Sequence, residues 1–504
     1  MKALMLGAFV ACLGASVLSV HAADAPDSGT QPHVTTHHRG TFNGKAMRYA
    51  VEVAPTHVSS GDSGPSADLV SVSYVAEGIK REQDRPVMFV FNGGPITASV
   101  YLHMLGLGPR RLVTPGDVNA DIPPAPLADN PSSPLDATDL VFFDPAGTGY
   151  SRVATGTSPS AYFSVDADAE QFTQFVQAWL KAHGREASPV YLYGESYGTL
   201  RAAAAAQKLS HLKTPVQLSG VFLQGQALNI IEISQRHDNI ISYTVSLPTL
   251  AALGWFHGKV DHAGKTFQQH LDASRDFAQN VYMPALFKGS NLDPKERDAV
   301  AAKLEALTGL PASVFLANDL KVSKVQYRAL LFKDQNELLS ANDGRYKALI
   351  TKDDPHPDGS EKVMKAAEAA YAKYAKDELG VQTGYAYRSR AGVENMDLWG
   401  WGAKSPFGDW PYMAMIKDAM TLKPQLRVVI GQGYFDTLTT TGATDYAVAQ
   451  SGWPKDRVRV AYYESGHMAY TVQSSLEQMS RDLHELISPA SSATGTTPRA
   501  ATAP

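Results

Sequence analysis

Short runs of consecutive apolar residues alternate with stretches of helical periodicity through the first half of this chain. Pro86-Val-Met-Phe-Val-Phe91, Leu140-Val-Phe-Phe143 and Val190-Tyr-Leu-Tyr193 are continuous apolar runs, the pattern of strands buried on both faces of a sheet. Val216 to Leu223 adds a fourth strand. Between the second and third, Ser164 to His183 carries Phe172, Phe175, Val176, Trp179 and Leu180 on one face, with Ser164 or Asp166 as the start signal, and so predicts a helix. Leu200 to Leu209 is nearly all alanine and predicts a buried helix lying close on the sheet. Strand, helix, strand, helix is the signature of a mostly parallel sheet. Ahead of these, Met47 to Val53 and Leu69 to Val75 predict an antiparallel edge. The last two strands fall far downstream, at Leu426 to Ile430 and Val458 to Tyr463.

That gap organises the chain. At 504 residues it is long for one unit, on a prior of about 150 residues per domain. Residues 227–420 show helical spacing and few strand signals, with helices predicted over Asp276 to Leu286, Asp293 to Thr308, Ala312 to Leu320 and Glu361 to Leu379. They read as a largely helical cap inserted into a core made of residues 40–226 and 421–487. Lys352-Asp-Asp-Pro-His-Pro-Asp-Gly359 resembles a metal loop superficially. Its prolines and glycine make it a turn, and its spacing matches no calcium loop. Residues 488–504 are rich in Ser, Thr, Ala and Pro and predict a disordered tail.

The other end changes the picture more. Lys2, the apolar run Leu4 to Val20 and the small residues around Ala22-Ala23 read as a secretory signal over residues 1–23, followed by a flexible segment over 24–39 that includes His33, His37 and His38. The protein is then expected in the periplasm or secreted, with no membrane attachment after cleavage. Cys12 is the one cysteine and lies inside that leader, so the mature chain is expected to have no disulfide, thiol nucleophile or thiolate metal site. A net charge of −5 offers no basic surface to nucleic acid. No His-Glu-x-x-His stretch occurs, and neither metal nor cofactor is expected.

The chemistry concentrates at strand ends. Gly194-Glu195-Ser196-Tyr197-Gly198 sits between an apolar strand and the alanine-rich helix, the context of a nucleophile elbow. Such a turn strains the backbone at the serine, and its small flanking residues let strand and helix approach, which exposes the hydroxyl at the C-terminal edge of the sheet. A serine hydroxyl is a weak nucleophile and needs a base oriented by a carboxylate. In the α/β-hydrolase fold these follow in the order Ser, acid, His. Asp436 ends the loop Gly431-Gln-Gly-Tyr-Phe-Asp436, and His467 ends Glu464-Ser-Gly-His467; each loop follows a predicted strand. Glu464 is the competing acid. An oxyanion hole requires two backbone N–H groups, for which Tyr197 and Gly94, the latter in Asn92-Gly93-Gly94-Pro95, are the candidates.

Taken together these stretches resemble the serine carboxypeptidase family. Phe91-Asn-Gly-Gly-Pro95 with Leu107-Gly-Pro109, Phe143-Asp-Pro-Ala-Gly-Thr-Gly-Tyr-Ser151, Gly194-Glu-Ser-Tyr-Gly198, Gly433-Tyr-Phe-Asp436 and Ser465-Gly-His-Met468 occur in family order. The resemblance implies an α/β-hydrolase fold, a triad of Ser196, Asp436 and His467, oxyanion donors at Gly94 and Tyr197, and a seat for the substrate's terminal carboxylate at Asn92, Gly93 and Glu195. Peptides are the implied substrates, cleaved at the C-terminus through an acyl-enzyme. An esterase or acyltransferase of the same fold, or a catalytically silent peptide-binding protein, are the alternatives. The chain departs from the family at Val90, where an aromatic is usual, at Gly106, where a second acid is usual, and at Ile96-Thr-Ala98, where a cysteine is usual. Without that second acid, Glu195 is expected to lack a carboxyl neighbour that would raise its pKa by sharing a proton.

Overall fold

The computed structural model describes residues 29–61, 64–122, 127–391, 399–402 and 408–488; the expected signal segment and the tail beyond Ser488 lie outside them. One sheet dominates. Its strands are β1 (Val34–Phe42), β2 (Lys45–Ser59), β3 (Ser66–Ala76), β4 (Val87–Phe91), β5 (Asp139–Phe143), β6 (Arg152–Val153), β7 (Val190–Glu195), β8 (Leu218–Gln224), β9 (Arg427–Gly433) and β10 (Val458–Tyr463). They lie in the order β1-β2-β3-β5-β4-β7-β8-β9-β10, with β6 beside β3. From β1 to β5 neighbours run antiparallel, and from β5 to β10 they run parallel. Each apolar run serves both faces, as strands buried between helical layers must. Met88 and Val90 enter the core on one face, while Val87, Phe89 and Phe91 enter the core on the other.

Helices α1 (Val165–Ala182) and α2 (Gly198–Ser210) cover one face. Ser164 caps α1 by accepting from the Ala167 amide at 3.1 Å, which satisfies a donor that helix geometry leaves free. The run Ala202 to Ala206 is buried; side chains of one carbon let α2 lie close on the strands. This arrangement is the α/β-hydrolase fold.

Three departures from the sequence pattern follow from packing. Residues 34–39, expected to be flexible, form most of β1, since pairing with β2 from Val34↔Val53 onward satisfies their backbone. His37 meets Glu77 at 2.6 Å and His38 meets Thr36 at 2.8 Å. The first predicted cap helix begins earlier, as α3 (Phe267–Phe277), because Thr266 and Gln269 form a reciprocal capping box. The insertion also divides among three cores. Tyr243 to Leu339 encloses its own apolar cluster, whereas α4 (Glu361–Asp377) gives Val363, Tyr371 and Tyr374 to one face of the sheet, and α5 (Tyr412–Leu422) gives Tyr412, Ile416 and Met420 to the other. Helix α5 therefore belongs to the layer that holds α2, and the boundary expected at residue 420 falls inside a core helix. The turn expected at 352–359 contains Asp358, whose carboxylate accepts from the Ala341 and Ser360 amides.

Candidate active site

All the candidate residues gather at the C-terminal ends of the parallel strands, where loops of an open α/β sheet converge. β7 ends at Glu195 and α2 starts at Gly198, leaving Ser196 and Tyr197 to make the turn. Ser196 has φ +58°, a left-handed conformation that costs a non-glycine residue roughly 1–3 kcal/mol and persists where surroundings over-determine it. Two constraints do so. The Ser196 amide donates to Gln224 O of β8 at 2.9 Å, and a Cβ at Gly194 would overlap the Gly198 carbonyl, so only glycine lets the turn close. At Gly93 a Cβ would lie 2.6 Å from both Glu195 O and Tyr197 N. The Asn92–Gly94 backbone is thus pressed against the turn, and the N–H groups of Gly94 and Tyr197 have no acceptor among the described residues.

Asp436 and His467 meet. Nδ1 of His467 lies 2.7 Å from Asp436 Oδ2, and both side chains are buried. The carboxylate is held by the amides of Leu438 and Thr439 at 2.8 and 3.0 Å and by the Thr439 hydroxyl at 2.6 Å. Burial pulls the His467 imidazole down, but the charge and hydrogen bond of Asp436, with the Glu195 charge behind them, outweigh it and leave its pKa above the ordinary histidine value. The rival acid Glu464 is exposed. The imidazole edge approaches Gly225 closely: a Cβ there would lie 2.8 Å from His467 Cε1 and Nδ1. Gln224, which holds the Ser196 amide, is the preceding residue. Nε2 of His467 is buried and, among the described residues, makes no hydrogen bond to Ser196 or to any other group.

Behind Ser196, Asn92 Nδ2 donates to Glu195 Oε1 at 2.7 Å, and the Leu102 amide donates to Asn92 Oδ1 at 3.1 Å, which sets the orientation of the amide. Burial pushes the Glu195 carboxyl up, against smaller downward pulls from His467, Tyr470 and Asn92. The raised pKa therefore comes from desolvation and not from a proton shared with a second acid, whose place at 106 is a glycine. Among the described residues, Glu195 Oε2, Tyr470 OH, Gln224 Oε1, Ser465 Oγ and His467 Nε2 are all buried without a hydrogen bond of ordinary geometry. Native interiors rarely leave such groups unpaired, and their clustering marks a functional site.

Several positioning residues escaped the sequence reading. Arg201, in the alanine-rich helix, is fully buried; it donates to Asp168 at 2.8 Å and to the Asn92 carbonyl at 2.9 Å, while Tyr197 OH donates to the same Asp168 oxygen at 2.9 Å. One arginine in an apolar helix was the available signal, because a buried charge requires partners. Ala341 to Gly344 crosses both loops that carry Asp436 and His467. Asn342 O accepts from the His467 amide at 2.7 Å, Gly344 N donates to Phe435 O at 3.0 Å, and Thr437 donates to Ala341 O at 2.7 Å. No local pattern marks these backbone contacts. Trp399 is buried and sits edge-on to Tyr197 at 5.4 Å, with Trp401 at 6.1 Å; Trp410 donates to Leu228 O at 2.7 Å. Among the described residues no group of three or more His, Cys, Asp or Glu side chains is arranged to hold a metal ion.

The fold and the loops at its strand ends define a serine hydrolase of the α/β-hydrolase class. Residues 73–482 match the serine carboxypeptidase family, and the chain belongs to it. No curated protein sequence matches the chain directly. Among solved structures it is similar to Kex1, a prohormone-processing carboxypeptidase from Saccharomyces cerevisiae, at 14% identity, covering 87% of this chain and 91% of that one, with a TM-score of 0.48. Proline iminopeptidase from Mycobacterium smegmatis is similar at 13% identity over 86% and 99% of the two chains, with a TM-score of 0.34. Potato epoxide hydrolase I is similar at 12% identity over 90% and 99%, with a TM-score of 0.34.

Proposed function

We propose that the protein is a serine-type carboxypeptidase that releases C-terminal residues from peptides through an acyl-enzyme, with Ser196, His467 and Asp436 as its triad. The observation that carries this reading is the 2.7 Å bond between His467 and a buried Asp436, beside a buried Glu195 and the strained Ser196 turn. In the reaction, Ser196 Oγ attacks the scissile carbonyl as His467 Nε2 takes its proton. The carbonyl oxygen gains the charge, which the amides of Gly94 and Tyr197 stabilise by donating hydrogen bonds to it. His467 then gives the proton to the departing amine, which leaves as the C-terminal amino acid, and water repeats the sequence to free Ser196. Asp436 holds the imidazole in the tautomer that leaves Nε2 open as a base. The unbonded Nε2 is compatible with this role, since catalytic hydrogen bonds often tighten only in the substrate complex.

Asn92, Gly93 and Glu195 hold the substrate's terminal carboxylate. A protonated Glu195 donates to it where an ionised one would repel it, and the upward push of burial favours that form. Export to the periplasm or beyond is part of the proposal and rests on the leader pattern of residues 1–23. Among the described residues no helix is long and apolar enough to cross a membrane.

The test is one peptide library prepared with free and with amidated C-termini, incubated with the protein and read by mass spectrometry, alongside fluorophosphonate labelling. Trimming confined to the free-carboxyl set, with label on Ser196 lost in Ser196→Ala, is the expected result. Equal trimming of both sets would mean an enzyme indifferent to the terminus, and absent labelling would remove the serine mechanism.

A further inference from the structure

Gly106 and Tyr470 are far apart in sequence and fit together in space. A Cβ at Gly106 would lie 2.9 Å from Tyr470 Cγ and 3.1 Å from its Cβ, so the tyrosine ring fills the space that a side chain at 106 would need. Tyr470 is fully buried, and it stands three residues beyond His467. Its hydroxyl faces both the Glu195 carboxyl and the Asn92 amide, yet forms no hydrogen bond of ordinary geometry with either, and Glu195 Oε2 is likewise unpartnered. A phenol hydroxyl and a carboxyl oxygen that lie side by side without a well-formed hydrogen bond keep bonding capacity for a third group. Asn92 cannot turn to do so, because its own oxygen is committed to the Leu102 amide at 3.1 Å and its backbone carbonyl to Arg201 at 2.9 Å.

We propose that Tyr470 is a specificity-determining, substrate-binding residue, whose hydroxyl joins the Asn92 amide and the Glu195 carboxyl in donating to the free carboxylate of the substrate's last residue. A phenol in this position differs from a carboxylic acid in its working range. An acid donor is lost once it ionises, whereas burial and the neighbouring Glu195 charge keep the Tyr470 proton in place well above the ordinary tyrosine value. The seat therefore keeps a donor from Tyr470 and another from Asn92 whichever protonation state Glu195 adopts.

The inference rests on the carboxypeptidase reading, and the two are separated by the arms of one experiment. The wild-type enzyme is assayed on an N-blocked dipeptide, on its C-terminal amide, and on p-nitrophenyl acetate, which carries no carboxylate. Preference for the free carboxyl in the wild type tests the reading. Tyr470→Phe then tests the proposal: KM for the free-carboxyl dipeptide is expected to rise about 10- to 100-fold, the range for losing a hydrogen bond to a charged group, with turnover of p-nitrophenyl acetate unchanged. Gly106→Ala, whose methyl would displace the Tyr470 ring, is expected to give the same selective rise. If Tyr470→Phe slows both substrates equally, or leaves the dipeptide KM where it was, Tyr470 is a packing residue and the proposal falls while the carboxypeptidase reading stands. Binding of N-acetylphenylalanine against its amide to Ser196→Ala, with and without Tyr470→Phe, checks the same point by calorimetry without turnover. Loss confined to the acid supports the proposal, and equal binding before and after the change overturns it.

Discussion

At the scale of single residues, the site depends on what burial does to charge. Asp436 is fully buried and satisfied by two amides and a hydroxyl, so it stays fixed beside the imidazole. Its charge and bond account for the upward shift of His467 against the downward pull of burial. Only the neutral imidazole accepts a proton, so the acid limb of kcat is expected above the ordinary histidine value of about 6.5. Asp436→Asn should lower kcat by about 10⁴-fold and move the limb of the remaining activity to lower pH, as a kcat profile from pH 5 to 9 would show. Stability carries the same sign. A histidine with a raised folded pKa stabilises the protein below the unfolded value and loses that contribution as pH rises through the folded one. The melting temperature lost in Asp436→Asn should accordingly be larger at pH 5 than at pH 8.

At the scale of elements, the loops are held by backbone approaches that tolerate no side chain. Gly466 precedes His467, and a Cβ there would overlap Asp343 and lie 2.5 Å from the Asn342 carbonyl, the acceptor that fixes the His467 amide. Gly466→Ala should push the 341–344 segment off the histidine loop and reduce kcat about 10²-fold, the scale of a 1 Å misplacement. The rate of fluorophosphonate labelling should fall in parallel. The buried pair Asp343 and Arg345 stiffens this segment, with Arg345 also donating to Glu464 O at 3.0 Å and lying over the Phe435 ring. The strand ends were legible from apolar runs closed by glycine, since those patterns reflect local sterics. The crossing segment was not, since its role is carried by carbonyl and amide groups that every residue possesses.

Across the whole molecule, the chemistry and a separate anchor of stability lie at opposite ends of the sheet. Asp139 begins β5, at the end away from Ser196, and is fully buried between Arg85 and Arg185 at 2.7 and 2.5 Å, with the Ala76 amide at 2.9 Å. Asp139→Asn leaves two buried guanidinium groups without their counter-ion and should cost about 3–5 kcal/mol in chemical denaturation. Turnover per fluorophosphonate-titrated site should be unchanged, because no candidate site residue contacts the cluster. The amino-acid sequence by itself determined the alternation of strand and helix, the turn around Ser196 and the loops bearing Asp436 and His467, because periodicity and glycine act over a few neighbours. Tertiary structure alone decided that the insertion is shared among three cores and that Tyr470 fills the space left by Gly106, and it brought Asp436, the acid the motifs implied, rather than Glu464 to the imidazole. Those outcomes pair residues distant along the chain, and such pairs are set by how packed layers exclude water and satisfy buried polar groups, which no local pattern records.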